Sequence, residues 1–143
     1  MTDAATLAAL LPHPLPESGT DRIALFAIRR MAATGLNDAH AAAVLLCFFG
    51  KSYRRPLVLI RALMAELARA SHLQISVAPR CCPRMTRGEA LLLKAIVGAN
   101  ADPHQSHARL TALTATDDCL GALTSAQAVE QAFRDLGRPL SRQ

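Results

Sequence analysis

Valine and isoleucine are scarce in this 143-residue chain, which has five of each against 28 alanines and 22 leucines. Because alanine and leucine favour helices whereas valine and isoleucine favour strands, the composition argues against a β-sandwich or β-barrel. Hydrophobic residues make up 51% of the chain. This is enough to bury a core, so the composition excludes disorder for most of a chain that has the length of one domain.

Long apolar runs and a cationic leader are also absent. The longest uninterrupted apolar run, Ala41–Phe49, is far shorter than a membrane span, which needs roughly 20 residues. The opening residues MTDAATLAALLPHP contain Asp3 but no lysine or arginine, unlike a signal or transit peptide. We therefore expect a cytoplasmic protein without a membrane span.

Recognisable catalytic motifs are missing as well. The chain contains no G-x-S-x-G, P-loop, G-x-G-x-x-G or H-E-x-x-H motif, and its acidic residues are too scattered to predict a carboxylate pair. The sequence therefore favours a non-enzymatic protein that needs no cofactor, although a cysteine nucleophile with a histidine base stays open.

Apolar periodicity and end signals predict six helices, near residues 21–34, 38–49, 55–70, 87–99, 103–114 and 124–136. The third has the clearest amphipathic stripe. The second is apolar all round over residues 41–49, so we expect it at the domain centre with Cys47 in the core. The predicted N-terminal signals are Ser18 or Thr20, Asn37, Asp102 and the capping boxes Thr86–Glu89 and Thr124–Gln127.

Two segments are expected to be non-helical. Pro12, Pro14 and Pro16 forbid a helix and favour an extended arm, so residues 1–19 are predicted as a Pro-rich N-terminal arm and residues 20–143 as a single helical domain. Residues 73–77 alternate apolar and polar side chains, which fits a short strand or, as we favour, an extended connector. The predicted fold is all-α: a compact bundle of about six helices with this arm and one short extended segment.

Positive charge is concentrated in the middle of the chain, because residues 22–94 contain twelve basic and three acidic side chains. Such a surface can attract nucleic acid or another polyanion, although a solvated basic face is the ordinary alternative. Base stacking on this surface could use only Tyr53, and a helix-turn-helix motif fits the second and third helices poorly. The candidate anion- or partner-binding residues are Arg29, Arg30, Lys51, Tyr53, Arg54, Arg55 and Arg61.

Four cysteines suggest a second kind of site. Cys81 and Cys82 lie between prolines and arginines just before a helix, where nearby cations favour the thiolate. His104 and His107 share one side of the fifth helix. A zinc or iron site, or an oxidant-sensing thiol, is therefore an alternative to simple packing of these side chains. Its candidate residues are Cys81, Cys82, His104, His107 and Cys119.

Five strings of residues span the chain from the predicted arm to the last predicted helix: LPHPLPE, GLNDAHAA, SYRRPLVLIRALMAEL, CCPRMT and DCLGALTSAQAVEQAFRDLGRPL. Together they resemble a family of short alphaproteobacterial proteins of unknown function. The resemblance covers nearly the whole chain and implies a free-standing single-domain protein, but it brings no activity, ligand or catalytic residue.

These observations favour a helical protein that acts by binding a macromolecule. The binding surface would be either the arginine-bearing face of the first and third helices or an exposed part of an apolar stripe. The many apolar helix faces suggest more apolar surface than one compact core buries, so we expect a protein partner or a homo-oligomer, with nucleic acid as a further candidate partner.

Overall fold

The computed structural model describes residues 11–141 and confirms an all-α fold. Two-residue strands β1 (His13–Pro14) and β2 (Arg84–Met85) pair in an antiparallel sheet. No helix in this described range is long and apolar enough to cross a membrane. The helices are α1 (Gly19–Thr34), α2 (Ala39–Phe49), α3 (Arg54–Ala70), α4 (Arg87–Gly98), α5 (Pro103–Thr114) and α6 (Leu120–Asp135), with a 3-10 turn (Gly50–Ser52) joining α2 to α3.

The core lies between two pairs of helices, because α3 packs along α6 and α4 packs along α5. The predicted stripe of α3 faces inward: Leu57, Ile60 and Leu67 are buried, and Met64 is half-buried. Phe133 of α6 is fully buried. Burial of such large apolar side chains provides most of the driving force for folding.

Helix α2 lies at the edge of the bundle, so its predicted position at the domain centre is wrong. It packs mainly on α1 and α3, and only Ala41 and Leu45 are buried along its length. Leu46 is 47% exposed, and Cys47 is exposed rather than in the core. The sequence of α2 has no polar face, so periodicity could not show which side would lack a neighbour.

The α1–α2 turn is held by Asp38, which caps α2 in place of the predicted Asn37. The Asp38 carboxylate accepts a hydrogen bond from the Ala41 N–H at 2.9 Å and pairs with the Arg30 guanidinium, also at 2.9 Å. The hydrogen bonds from Arg30 lower the pKa of Asp38 far below its usual value. A charge-assisted contact thus fixes the angle between the two helices.

Three of the other predicted helix starts are confirmed and one is wrong. Ser18 caps α1, with its hydroxyl accepting a hydrogen bond from the Asp21 N–H. Asp102 caps α5, and Thr86 and Glu89 form the predicted capping box of α4. Helix α6 starts earlier than expected, at Leu120. The Thr124 hydroxyl donates to the Leu120 carbonyl at 2.7 Å, so this threonine lies inside the helix and does not begin it.

The described part of the arm packs on the helices. Leu11 and Pro16 are buried, and the arm carbonyls are bonded by two arginines. Arg84 donates to the Leu11 and Pro12 carbonyls at 2.8 and 3.1 Å, and Arg22 donates to the Pro16 carbonyl at 2.6 Å. Residues 1–10 of the predicted arm lie outside the described residues. Because proline has no N–H, the arm offers carbonyls that need outside donors.

Residues 73–77 form the extended connector that the sequence favoured, since the sheet among residues 11–141 contains only β1 and β2. The connector is attached where the Thr86 hydroxyl donates to the Ser76 carbonyl at 2.7 Å.

Candidate functional site

Arg29 is buried, whereas the sequence predicted it as one of the candidate anion- or partner-binding residues. Its side chain is 2% exposed. The guanidinium forms two hydrogen bonds to Glu89, from Nε at 2.7 Å and from Nη2 at 3.0 Å. Two further donors reach the Cys82 carbonyl at 3.0 Å and the Arg84 carbonyl at 2.8 Å. Arg29 therefore has a structural role, and four of its five N–H donors are used inside the protein.

Glu89 completes this network from the other side. Its carboxylate also accepts hydrogen bonds from the Thr86 N–H at 2.9 Å and the Ala78 N–H at 3.3 Å. One buried ion pair therefore joins α1, the loop of residues 78–86 and the start of α4. Such a pair is tolerated in the interior because its other hydrogen-bonding groups are also paired.

The sequence held a partial signal for the burial of Arg29. Leu25 and Arg29 are four residues apart, so they share a face of α1, and Leu25 is buried. Glu89 could not be identified as the partner, because the two residues are 60 positions apart in the chain.

Three other residues of the predicted patch have partners within the protein. Arg30 pairs with Asp38, and Arg55 pairs with Asp135 of α6 at 2.9 Å. Arg61 donates to the Leu36 carbonyl at 2.8 Å. The Arg61 charge is still at the surface after this contact. Each of the three arginines, however, has fewer N–H donors left for an anion.

Lys51 and Arg54 are exposed and form no side-chain hydrogen bond or ion pair within residues 11–141. Tyr53, between them, is half-buried and packs against the core. The structure adds a cation that the sequence did not place here: the Arg138 guanidinium lies 4.8 Å from the centre of the Phe48 ring. A C-terminal arginine thus joins the positive charge at the α2–α3 junction.

Exposed aliphatic side chains occur on the same two helices. Leu46 of α2 is 47% exposed and Val58 of α3 is 57% exposed. Arg54 and Val58 are four residues apart and share a face of α3, while Cys47 and Lys51 extend the same region along α2 and the 3-10 turn. We call the set Leu46, Cys47, Lys51, Arg54 and Val58 the hairpin surface.

The charge of the hairpin surface has one sign. No aspartate or glutamate occurs between residues 39 and 65, whereas Lys51, Arg54, Arg55 and Arg61 all lie in this range. From other elements, Asp135 reaches Arg55 and Asp38 reaches Arg30. A ligand with carboxylates or phosphates around an apolar stripe would complement the surface.

The cysteines and histidines of the alternative site lie in different environments. Cys81 is exposed and Cys82 is half-buried, whereas Cys119 is buried with its thiol 3.1 Å from the Thr114 hydroxyl. His104 is exposed and His107 is half-buried on α5. Across residues 11–141, no three His, Cys, Asp or Glu side chains come close enough to hold a metal ion.

Comparison with known proteins places this chain in a family but does not assign it a role. The model of a family of unknown function, DUF6628, matches residues 2–142, so the chain belongs to that family. No curated protein and no solved structure matches the chain.

Proposed function

We propose that this member of DUF6628 is a non-enzymatic binding protein whose hairpin surface holds an acidic, amphipathic segment of another protein. The observation that carries the proposal is the exposure of Leu46, Lys51, Arg54 and Val58 within one short stretch of chain that has no carboxylates. Exposed aliphatic groups rimmed by charge are typical of protein interaction sites.

Two other occupants fit this surface less well. A second copy that used the same surface would bring Lys51 and Arg54 of both copies together, and such like-charge contacts are unfavourable. Nucleic acid would match the charge, but it would leave Leu46 and Val58 without an apolar contact. Tyr53, which a base would need for stacking, is already half-buried.

The strength of binding would come mainly from the aliphatic contacts. Fully burying one such side chain contributes about 1.5–3 kcal/mol, and Leu46 and Val58 are each about half available. The cations at the rim would contribute less to affinity and more to the rate of association, which salt would slow.

Cys47 offers a way to find the partner, because it is an exposed thiol within the hairpin surface. A photo-crosslinker is attached to Cys47 in the Cys81→Ser, Cys82→Ser variant, while the matched control carries it on Cys81 in the Cys47→Ser, Cys82→Ser variant. We expect a protein of the host to crosslink from position 47 and not from position 81. The captured protein is then identified by mass spectrometry, produced recombinantly and used in binding measurements.

Val58→Glu tests the surface with that partner. The new carboxylate would lie one helical turn from Arg54, so it would neutralise the positive charge and place a charge in the apolar contact. We expect at least a tenfold weaker affinity, with weaker binding of the wild type at higher salt. Leu73→Glu is the control, since Leu73 is similarly exposed, at 56%, but lies on the connector.

Three results would contradict the proposal. The first is a partner that binds Val58→Glu as tightly as wild type. The second is crosslinking from Cys47 that captures only other copies of this chain. The third is salt-sensitive binding of nucleic acid that persists in Val58→Glu but is lost when Arg54 and Arg55 are both replaced by alanine.

A further inference from the structure

A second candidate site lies on the arm side of the molecule, away from the hairpin surface. A pocket of about 380 Å³ opens between the arm, α4, α5 and Ser141. Its size falls within the range of small-molecule sites, which runs from roughly 300 to 1,000 Å³. We call it the arm pocket.

One wall of the arm pocket is apolar and already ordered by the core. Met85 and Leu93 line it and are almost fully buried, and Val97 of α4 continues the wall. A hydrocarbon group placed against these side chains would leave water without requiring the helices to move.

Cations also line the arm pocket. Lys94 and Arg109 line it, and His13 of β1 contributes an imidazole. Within the described residues, Arg109 forms a single side-chain hydrogen bond, a long one of 3.5 Å to the Lys94 carbonyl. Most of its five N–H donors therefore remain available to a ligand.

Arg109 lies next to a glycine on the neighbouring helix α4. A Cβ atom on Gly98 would lie 3.4 Å from Arg109 Nη1 and 3.1 Å from the Ser106 hydroxyl. The tighter of these two distances is to Ser106, whereas 3.4 Å is an ordinary van der Waals contact, so the guanidinium lies against α4 at the edge of the pocket. A guanidinium binds a carboxylate well because its fork of donors matches the two oxygens.

Asp21 is the acidic residue that lines the arm pocket, and its carboxylate already has partners. Its two oxygens accept hydrogen bonds from the Ser141 N–H at 3.0 Å and the Ser141 hydroxyl at 2.7 Å. Asp21 is 2% exposed. The accessible charges of the pocket are therefore those of Lys94 and Arg109.

From this juxtaposition we propose that the arm pocket binds a small organic monocarboxylate with a compact apolar body. Arg109 and Lys94 hold the carboxylate, and the body of the ligand packs on Met85, Leu93 and Val97. The proposal is independent of the hairpin surface, because the two sites share no residue.

Calorimetric titration of the full-length protein with benzoate and with hexanoate tests this proposal. We expect one saturable site with a dissociation constant of about 1 mM or below, which is ordinary for a ligand of roughly nine non-hydrogen atoms. Benzamide has the same shape without the charge, so it should bind at least tenfold more weakly. Amide signals of Met85, Leu93 and Val97 should shift on titration with benzoate in nuclear magnetic resonance spectra.

The Arg109→Gln variant keeps a polar side chain but removes the charged fork, so we expect at least a tenfold loss of benzoate affinity. The matched control is Arg87→Gln, an exposed arginine at the start of α4 that does not line the arm pocket, which should bind benzoate like the wild type. Absence of saturation by either carboxylate at 20 mM, about twenty times the expected constant, would overturn the proposal. Equal binding by benzamide, or by Arg109→Gln, would overturn it too.

Discussion

Arginines have different roles on the two sides of this molecule. On the arm side, Arg22, Arg29 and Arg84 donate hydrogen bonds to backbone carbonyls of the arm and of the loop 78–86. On the hairpin surface, Lys51 and Arg54 form no such bond within the described chain. The same excess of positive charge thus stabilises the fold in one region and stays at the surface in the other.

The difference follows from the backbone of each region. The helices of the α2–α3 hairpin pair most of their own N–H and C=O groups, so their cations are not needed as donors. The proline-rich arm and the loop 78–86 have few backbone donors of their own, and arginine can reach several carbonyls at once. The number of basic residues in a sequence therefore does not give the number of cations that are free to bind a ligand. Some of these side chains donate hydrogen bonds to backbone carbonyls of the fold instead.

Replacement of Arg29 by methionine should give the largest effect. The substitution keeps an unbranched apolar side chain, but it leaves the buried Glu89 carboxylate without its cation and two carbonyls without donors. Breaking one side of a buried pair costs about 3–5 kcal/mol, which urea unfolding would measure. Arg54→Met is the matched control and should change the free energy of unfolding by less than about 0.5 kcal/mol. Equal losses in the free energy of unfolding in both variants would show that the arginines of the arm side and of the hairpin surface do not differ in their contribution to stability.

Replacement of Arg84 by alanine should have an intermediate effect. The Leu11 and Pro12 carbonyls would lose their donor, although solvent can reach part of this contact. We expect a loss of about 1–2 kcal/mol in the free energy of unfolding and faster proteolysis of residues 11–16. Arg80→Ala is the control, because Arg80 lies in the same loop and is exposed. Unchanged proteolysis in Arg84→Ala would show that arginine does not hold the arm.

Replacement of Asp38 by asparagine should give the smallest effect, and this effect should depend on pH. Hydrogen bonds from Arg30 and Thr34 lower the pKa of Asp38 in the folded state. The ion pair therefore stabilises the protein above the unfolded pKa of about 3.9, and this contribution falls as the pH drops below that value. Asparagine still caps a helix, so the variant isolates the charge.

Thermal unfolding of wild type and Asp38→Asn between pH 7 and pH 2 provides the measurement for this third variant. We expect the wild type to be more stable at pH 7 and the difference to narrow below pH 4, since protonation of Asp38 removes its charge. A difference that stays constant over the whole range would show that the charge of Asp38 does not contribute.

Local patterns in the sequence were enough to predict the helices. The Asp102 cap and the Thr86–Glu89 capping box depend on residues within one turn, and both are confirmed. The buried stripe of α3 is also a local pattern, because its spacing follows the helical period. The error at the start of α6 has a local cause too, since a threonine inside a helix can look like a cap.

The candidate sites required information that no local pattern contains. An all-apolar α2 could lie at the centre or at an edge, and the choice depends on how many neighbours the rest of the chain supplies. The burial of Arg29 depends on Glu89, and the arm pocket joins β1, α4, α5 and Ser141 from distant parts of the chain. Such contacts arise only in the folded structure.

The buried pair also has a consequence for the order of events during synthesis. Arg29 lies 60 residues before Glu89, so α1, α2 and α3 leave the ribosome before the Glu89 carboxylate does. We expect Arg29 to stay hydrated in the nascent chain, because an unpaired cation is too costly to bury. Protease digestion of stalled chains of increasing length should show protection of α1 only after residue 89 has left the exit tunnel. Packing of α1 in the first half of the polypeptide thereby depends on the emergence of Glu89 in the second half.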